Sequence, residues 1–213
     1  IDDIRFSPDS RFLAVASHDN FIDIYLVQDG FKHLARCKGH SSYVTHIDWS
    51  ADSRYLQSNC GSYESLVWDA VNGKIVLLTS LTRDIEWQTF TCVLGFDAMG
   101  IWPHGSDGTD VNSLARSPDH SLLVTGDDFG NVNLYNFPCV VCDAPHHTLT
   151  GHSSHVMNVR WLADGKHVIS VGGSDKSVFQ WALVQDGSRA DRALHESTYI
   201  QPSRPWKPQV AWK

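Results

Sequence analysis

Long apolar runs are missing from this chain. No stretch of its 213 residues approaches the ~18 consecutive apolar positions of a bilayer-crossing helix, and the N-terminus has no basic region followed by an apolar stretch. A soluble, unsecreted protein is expected. Positive charge is also short: 17 Lys+Arg against 24 Asp+Glu leave a net charge of −7. That balance argues against a grip on phosphate backbones or anionic lipid, so neither nucleic acid nor membrane is expected as a partner. Cysteine is sparse, scattered and odd in number (Cys37, Cys60, Cys92, Cys139, Cys142), and no Asn-x-Ser/Thr acceptor occurs, which suits a reducing compartment, the cytoplasm. Gly-x-Ser-x-Gly, Gly-x4-Gly-Lys-Ser/Thr and His-Glu-x-x-His are all absent. No catalytic residue, cofactor, resident metal or small-molecule substrate is therefore expected. No segment sustains a 3.6-residue apolar period, which predicts almost no helix.

What the chain does contain is a repeat. Its 42% apolar content is enough to bury a core, which excludes disorder for most of the length. Four segments share one layout of three short strands and two turns: 3–27, 44–69, 111–137 and 156–183. From the aspartate of the first turn to the aromatic that ends the third strand, Asp9 to Tyr25, Asp52 to Trp68 and Asp119 to Tyr135 are each 16 residues, and Asp164 to Trp181 is 17. The four aspartates lie 43, 67 and 45 residues apart, so only the middle interval carries an insertion. Pro8 and Pro118 sit where a type I turn fixes φ, and the second turns are rich in Gly, Asp and Asn. Between the turns the strands are β-branched and aromatic, as in Phe21-Ile22-Asp23-Ile24-Tyr25.

Such a unit has two apolar faces and must stack on a neighbour, which predicts an all-β propeller. The repeats are assigned to about 1–38, 39–80, 109–145 and 151–183, with an insertion at 81–108 and a structureless tail at 184–213. The chain enters a strand within a few residues of Ile1, and the expected object is a fragment: four to five blades of an incomplete, C-terminal propeller.

Gly39-His40 and Gly151-His152 precede two repeats, and Trp68-Asp69 closes one. These features resemble the WD-repeat family. The resemblance implies a structural hydrogen-bonded tetrad of His152, Ser170, Asp175 and Trp181 in the last repeat. It implies a partial one, His40 and Trp68, in the second, where Ser62 stands in place of the aspartate. The first and third repeats end in Tyr25 and Tyr135 instead. A narrower likeness lies in Gly100-Ile101-Trp102-Pro103, Ser106-Asp107-Gly108-Thr109-Asp110-Val111-Asn112, Thr125-Gly126-Asp127-Asp128-Phe129-Gly130, Phe137-Pro138-Cys139 and Gly151-His152-Ser153-Ser154-His155-Val156. Together they resemble the C-terminal propeller of the echinoderm microtubule-associated-protein-like family. That resemblance implies a non-catalytic scaffold, cytoskeleton-associated, in a parent protein that binds tubulin or microtubules. The rival is a WD-repeat adaptor or substrate receptor in a signalling or ubiquitin-ligase complex.

Four residues of the insertion, Trp87, Phe90, Trp102 and His104, are candidates for an exposed partner-binding surface, against the alternative of a buried extra strand. Cys139-x2-Cys142 with His146 and His147 has zinc-like spacing but lacks a second Cys pair. Asp107-Gly108-Thr109-Asp110 has the start of a calcium loop without its further acids, and is read as a glycine-centred turn. Pro202, Pro205 and Pro208 space two Pro-x-x-Pro units in the tail.

Overall fold

Each first turn closes because a serine or leucine carbonyl receives the amide three residues on, and the last turn residue adopts a left-handed backbone. Ser10 (φ 59°), Ser53 (62°), His120 (62°) and Gly165 (62°) hold that position, and their amides donate to the carbonyls of Ser7, Ser50, Ser117 and Leu162. In three of the four turns the serine hydroxyl donates to the turn aspartate, Asp9, Asp52 or Asp119. It also accepts the amide that starts the next strand, from Phe12, Tyr55 and Leu122. Three of the turn aspartates thus work with a serine two residues earlier, and Asp164, two residues after Leu162, accepts the Lys166 and His167 amides.

The computed structural model describes residues 1–185 and 198–202, the last five and Gln185 by backbone only. Four antiparallel sheets result, each in simple sequential order. The first holds β1 (Asp3–Phe6), β2 (Phe12–Ala16), β3 (Phe21–Leu26) and β4 (Lys32–Lys38). The second holds β5 (Val44–Trp49), β6 (Tyr55–Cys60), β7 (Ser65–Asp69) and β8 (Lys74–Ile75). The third is β9 (Val111–Arg116), β10 (Leu122–Asp127), β11 (Asn131–Asn136) and β12 (His146–Thr150). The fourth is β13 (Val156–Trp161), β14 (His167–Gly172), β15 (Val178–Gln185) and β16 (Thr198–Pro202). Helix among the described residues is confined to Thr79–Thr82 and a 3-10 turn at Phe96–Ile101, as the missing 3.6 period implied. No helix among them is long and apolar enough to cross a membrane.

Two boundaries differ from the sequence expectation. The third sheet ends with β12 at 146–150, beyond the limit drawn at 145, and backbone pairing of Thr198–Pro202 with β15 falls inside the stretch expected to be structureless. The outermost strands carry little apolar signal: in β12 only Leu149 is buried. Pro205, Pro208 and the rest of that tail, 186–197 and 203–213, lie outside the described residues.

The chain divides into two units, Ile1–Phe96 and Asp97–Lys213, each with two sheets. In the first unit one cluster joins Phe12, Ala14, Ile22 and Ile24 of the first sheet to Val44, Ile47, Trp49 and Leu56 of the second. In the second unit Val124, Val132 and Leu134 meet Val156, Val159 and Val168. Each such side chain taken fully out of water contributes about 1.5–3 kcal/mol. A tryptophan stitches each pair: Trp49 Nε1 donates to the Arg5 carbonyl, and Trp161 Nε1 to the Ala115 carbonyl, both at 3.1 Å.

The insertion is held by a buried acid. Asp48 on β5 is fully buried and accepts from Gln57 Nε2 (3.1 Å), the Thr89 hydroxyl (2.6 Å), the Thr91 amide and hydroxyl (2.8 and 2.9 Å) and the Cys92 amide (3.0 Å). Arg5 Nη1 lies 3.9 Å away. Burial opposes the Asp48 charge, but Arg5 and these donors hold its carboxyl below the usual range. The Ala51 amide donates to the Glu86 carbonyl and the Gln88 amide to that of Trp49, which completes the strap along the second sheet. Replacing Asp48 by Ala leaves those donors without their acceptor and Arg5 with Asp3 as its remaining carboxylate, at a cost of about 3–5 kcal/mol. The expected outcome is a lower urea midpoint and faster proteolytic cleavage within 79–94; an unchanged midpoint and cleavage rate would show that the strap is held by something else.

Candidate functional site

The polar chemistry in the core is concentrated at one place in the second and fourth sheets. In the fourth, Trp181 Nε1 donates to Ser170 Oγ (2.8 Å), Ser170 Oγ is 2.8 Å from His152 Nε2, and His152 Nδ1 is 2.9 Å from Asp175 Oδ2. One proton arrangement serves the whole series: indole to hydroxyl, hydroxyl to Nε2, and Nδ1–H to carboxylate. Asp175 also accepts amides from Ser153 and Ser177. Burial opposes its charge, yet those bonds bring its carboxyl down to about 2.

The second sheet repeats the chain: Trp68 Nε1 to Ser58 Oγ (2.7 Å), Ser58 Oγ to His40 Nε2 (2.6 Å), and His40 Nδ1 to Glu64 Oε2 (3.2 Å). The sequence placed Ser62 at the acid's position, and here the structure corrects it. The second turn of this sheet closes Cys60 N on Glu64 O, four residues apart, whereas the fourth sheet closes Gly172 N on Ser177 O, five apart. Glu64 thus stands at the position of Ser177, whose hydroxyl also lies 3.0 Å from His152 Nδ1, and the longer carboxylate side chain reaches the imidazole from there. The 16-residue spacing against 17 was the available signal. Glu64 accepts the Ser41 amide and hydroxyl and the Cys60 thiol, which hold it at about 2. Burial lowers the His40 pKa and keeps the ring neutral.

Serine, histidine and carboxylate in hydrogen-bonded series form the connectivity of a hydrolytic triad. Two facts remove the nucleophile. Both serine hydroxyls accept an indole N–H, and Ser58, Ser170 and the rings of His40 and His152 are closed to solvent. His40, Cys60 and Glu64 bring three ligand-type atoms within 4.8 Å of one another, the one such group among the described residues. The glutamate there is already shared by thiol, imidazole and Ser41.

The insertion candidates do not form one exposed surface. Trp87 is 8% exposed and Phe90 2%, so the expectation of exposure is corrected for both: a bridge between Ser50 and Trp87 and the Asp48 strap turn them inward. Trp102 is half-buried and His104 exposed, with Nε2 3.8 Å from Cys142 Sγ. Cys139 is buried and Cys142 exposed, and the two are not gathered with His146 and His147 into a ligand set. Asp107 and Asp110 bind amides of their own loop, from Thr109 and Asp107. Gly100 admits no side chain, since a Cβ there would run into the Val141 carbonyl.

These paired sheets and buried indole-to-acid chains fit one comparison in particular: a family model described as the echinoderm microtubule-associated protein second β-propeller matches residues 1–183. The chain belongs to this family. It is 55% identical over 186 residues to the 77 kDa echinoderm microtubule-associated protein of Strongylocentrotus purpuratus, covering 86% of this chain and 27% of the relative. It is 50% identical over 184 residues to echinoderm microtubule-associated protein-like 1 of Mus musculus (85% and 23%). Against echinoderm microtubule-associated protein-like 4 of Homo sapiens it is 50% identical over 186 residues (85% and 19%). The chain thus spans roughly a fifth to a quarter of the length of these relatives. A crystal structure of the Myceliophteria thermophila Cps50 (Swd1) β-propeller domain superposes with a TM-score of 0.64 at 18% identity, covering 93% of this chain and 69% of that one, which shows the fold.

Trp181→Ala removes the first donor of the fourth-sheet chain and opens a cavity, for an expected loss of roughly 3–5 kcal/mol. A thermal midpoint unchanged within error would refute a stabilising role. Acid should act on the same groups. Asp175 and Glu64 fall to about 2 from 3.8 and 4.5 on folding, so their contribution is intact above about pH 4.5 and lost as pH drops towards 2. His40, lowered from 6.5, adds to the loss in the same direction, because the unfolded chain takes up the proton first. Urea midpoints of the Asp175→Asn/Glu64→Gln double variant should fall less steeply over that window than those of the parent; equal slopes would contradict the assignment.

Proposed function

We propose that this chain is a non-catalytic, protein-binding propeller module of a microtubule-associated protein, and that it contributes to tubulin binding and to organising the microtubule cytoskeleton. The family match over 1–183, with 50% or greater identity to several microtubule-associated proteins, carries the proposal. The buried state of each serine–histidine–acid series supports the absence of catalysis, because no substrate reaches the hydroxyl. A net charge of −7 favours specific contacts over electrostatic adhesion to an acidic polymer surface. The tetrads set the shape of the loops, and the loops make the contacts. Mixing the 213-residue chain with soluble tubulin and, separately, with stabilised microtubules tests this. Co-elution with tubulin dimers in the micromolar range is expected, with salt-resistant binding. A folded chain that ignores both would favour an adaptor without a cytoskeletal role.

A further inference from the structure

The third sheet has lost its tetrad, and a pocket stands beside the residues that replaced it. In register, Leu123 opposite Tyr135 corresponds to Leu56 opposite Trp68 and to Val168 opposite Trp181. Thr125 therefore occupies the position of Ser58 and Ser170. His40 and His152 lie four residues before Val44 and Val156; four before Val111 stands Asp107, which is exposed and turned to its own loop. No imidazole packs on this sheet from the preceding loop. Thr125 is buried with the Tyr135 side chain as its neighbour, whereas its two counterparts each engage an indole and an imidazole. Next to these residues is a cavity of about 180 Å³.

The cavity walls are aromatic and acidic: Trp102, Phe129 and Tyr135 with Asp110, Asp127 and Asp143, and His146 on the outer strand. The Asp127 carboxylate is committed, accepting the Phe129 and Asn131 amides and the Asn131 and Asn133 side chains. Asp110 Oδ2 accepts one loop amide, and the Asp143 carboxylate makes no hydrogen bond or ion pair among the described residues. Phe129, on the turn between β10 and β11, is 73% exposed. The wall is thus rich in acceptors and ring faces and poor in positive charge.

We propose that this cavity, which Tyr135 of the third sheet lines, receives the guanidinium end of an arginine side chain from a partner protein. A planar cation that stacks on rings while donating to carboxylates is the chemistry such walls complement. The space suits one long side chain, and Phe129 at the rim gives the partner's neighbouring residues an apolar contact. The site stands on the cavity itself and is independent of tubulin binding.

The test uses the isotopically labelled 213-residue chain, titrated with N-acetyl-arginine methylamide, with its neutral citrulline counterpart, and with a short peptide carrying arginine between apolar residues. The arginine amide at about 10 mM should shift amide resonances within 102–110 and 127–131, and citrulline should not. The peptide should bind roughly tenfold more tightly than the amide. Asp143→Asn and Phe129→Ala should each weaken the peptide about tenfold while the rest of the spectrum stays in place. Asparagine tolerates the left-handed backbone of residue 143 (φ 54°). No shift with arginine, an equal shift with citrulline, or variants that bind unchanged would overturn the site. Amide binding with no gain for the peptide would overturn the protein partner.

Discussion

Apolar side chains on a thin sheet have to be covered from outside that sheet, and this requirement orders the rest of the structure. Within 1–96, Ile22 and Ile24 of the first sheet are fully buried only because Val44 and Ile47 of the second lie against them. Within 97–213, Val132 and Leu134 depend in the same way on Val156 and Val159. The stacking leaves little room for polar atoms, so those that remain are tied in closed series. Trp49 and Trp161 find a carbonyl on the adjoining sheet, and Trp68 and Trp181 find a serine backed by histidine and acid. A buried donor without an acceptor costs about 1–3 kcal/mol, comparable with what one large apolar side chain contributes.

The same chemistry distinguishes scaffold from site. Where the series from indole to carboxylate is complete, its serine, histidine and acid are consumed internally and have no reactivity to offer. Where it is absent, in the third sheet, Tyr135 lines a cavity whose wall carries the carboxylates of Asp110, Asp127 and Asp143.

Much of this was legible in the residues. The recurring turn aspartates and the closing aromatics gave the number of sheets, because a turn needs specific backbone chemistry and a strand end needs a fixed distance from it. The outer strands were harder to see: β4 and β12 are edge strands, largely exposed, with two buried residues in β4, Ala35 and Cys37, and one in β12, Leu149. Glu64 was hidden because it stands at the position of Ser177, two residues past that of Asp175. Trp87 and Phe90 could not be sorted into surface or core from sequence, since an aromatic in an insertion suits either. The clue was Asp48, an acid inside a strand, whose need for several donors implied a segment folding back over it. The repeated Trp49 and Trp161, at the same register on β5 and β13, marked the inter-sheet contact and were not singled out by spacing alone.

If cover from a neighbouring sheet is what stabilises each unit, neither sheet of a pair can open alone. Native-state hydrogen exchange measures this directly. The amides of β2, β3, β5 and β6 should exchange with one common free energy and one denaturant dependence, and those of β10, β11, β13 and β14 likewise among themselves. Separate free energies for the two sheets of either unit, each with the small denaturant dependence of a single sheet, would contradict the account.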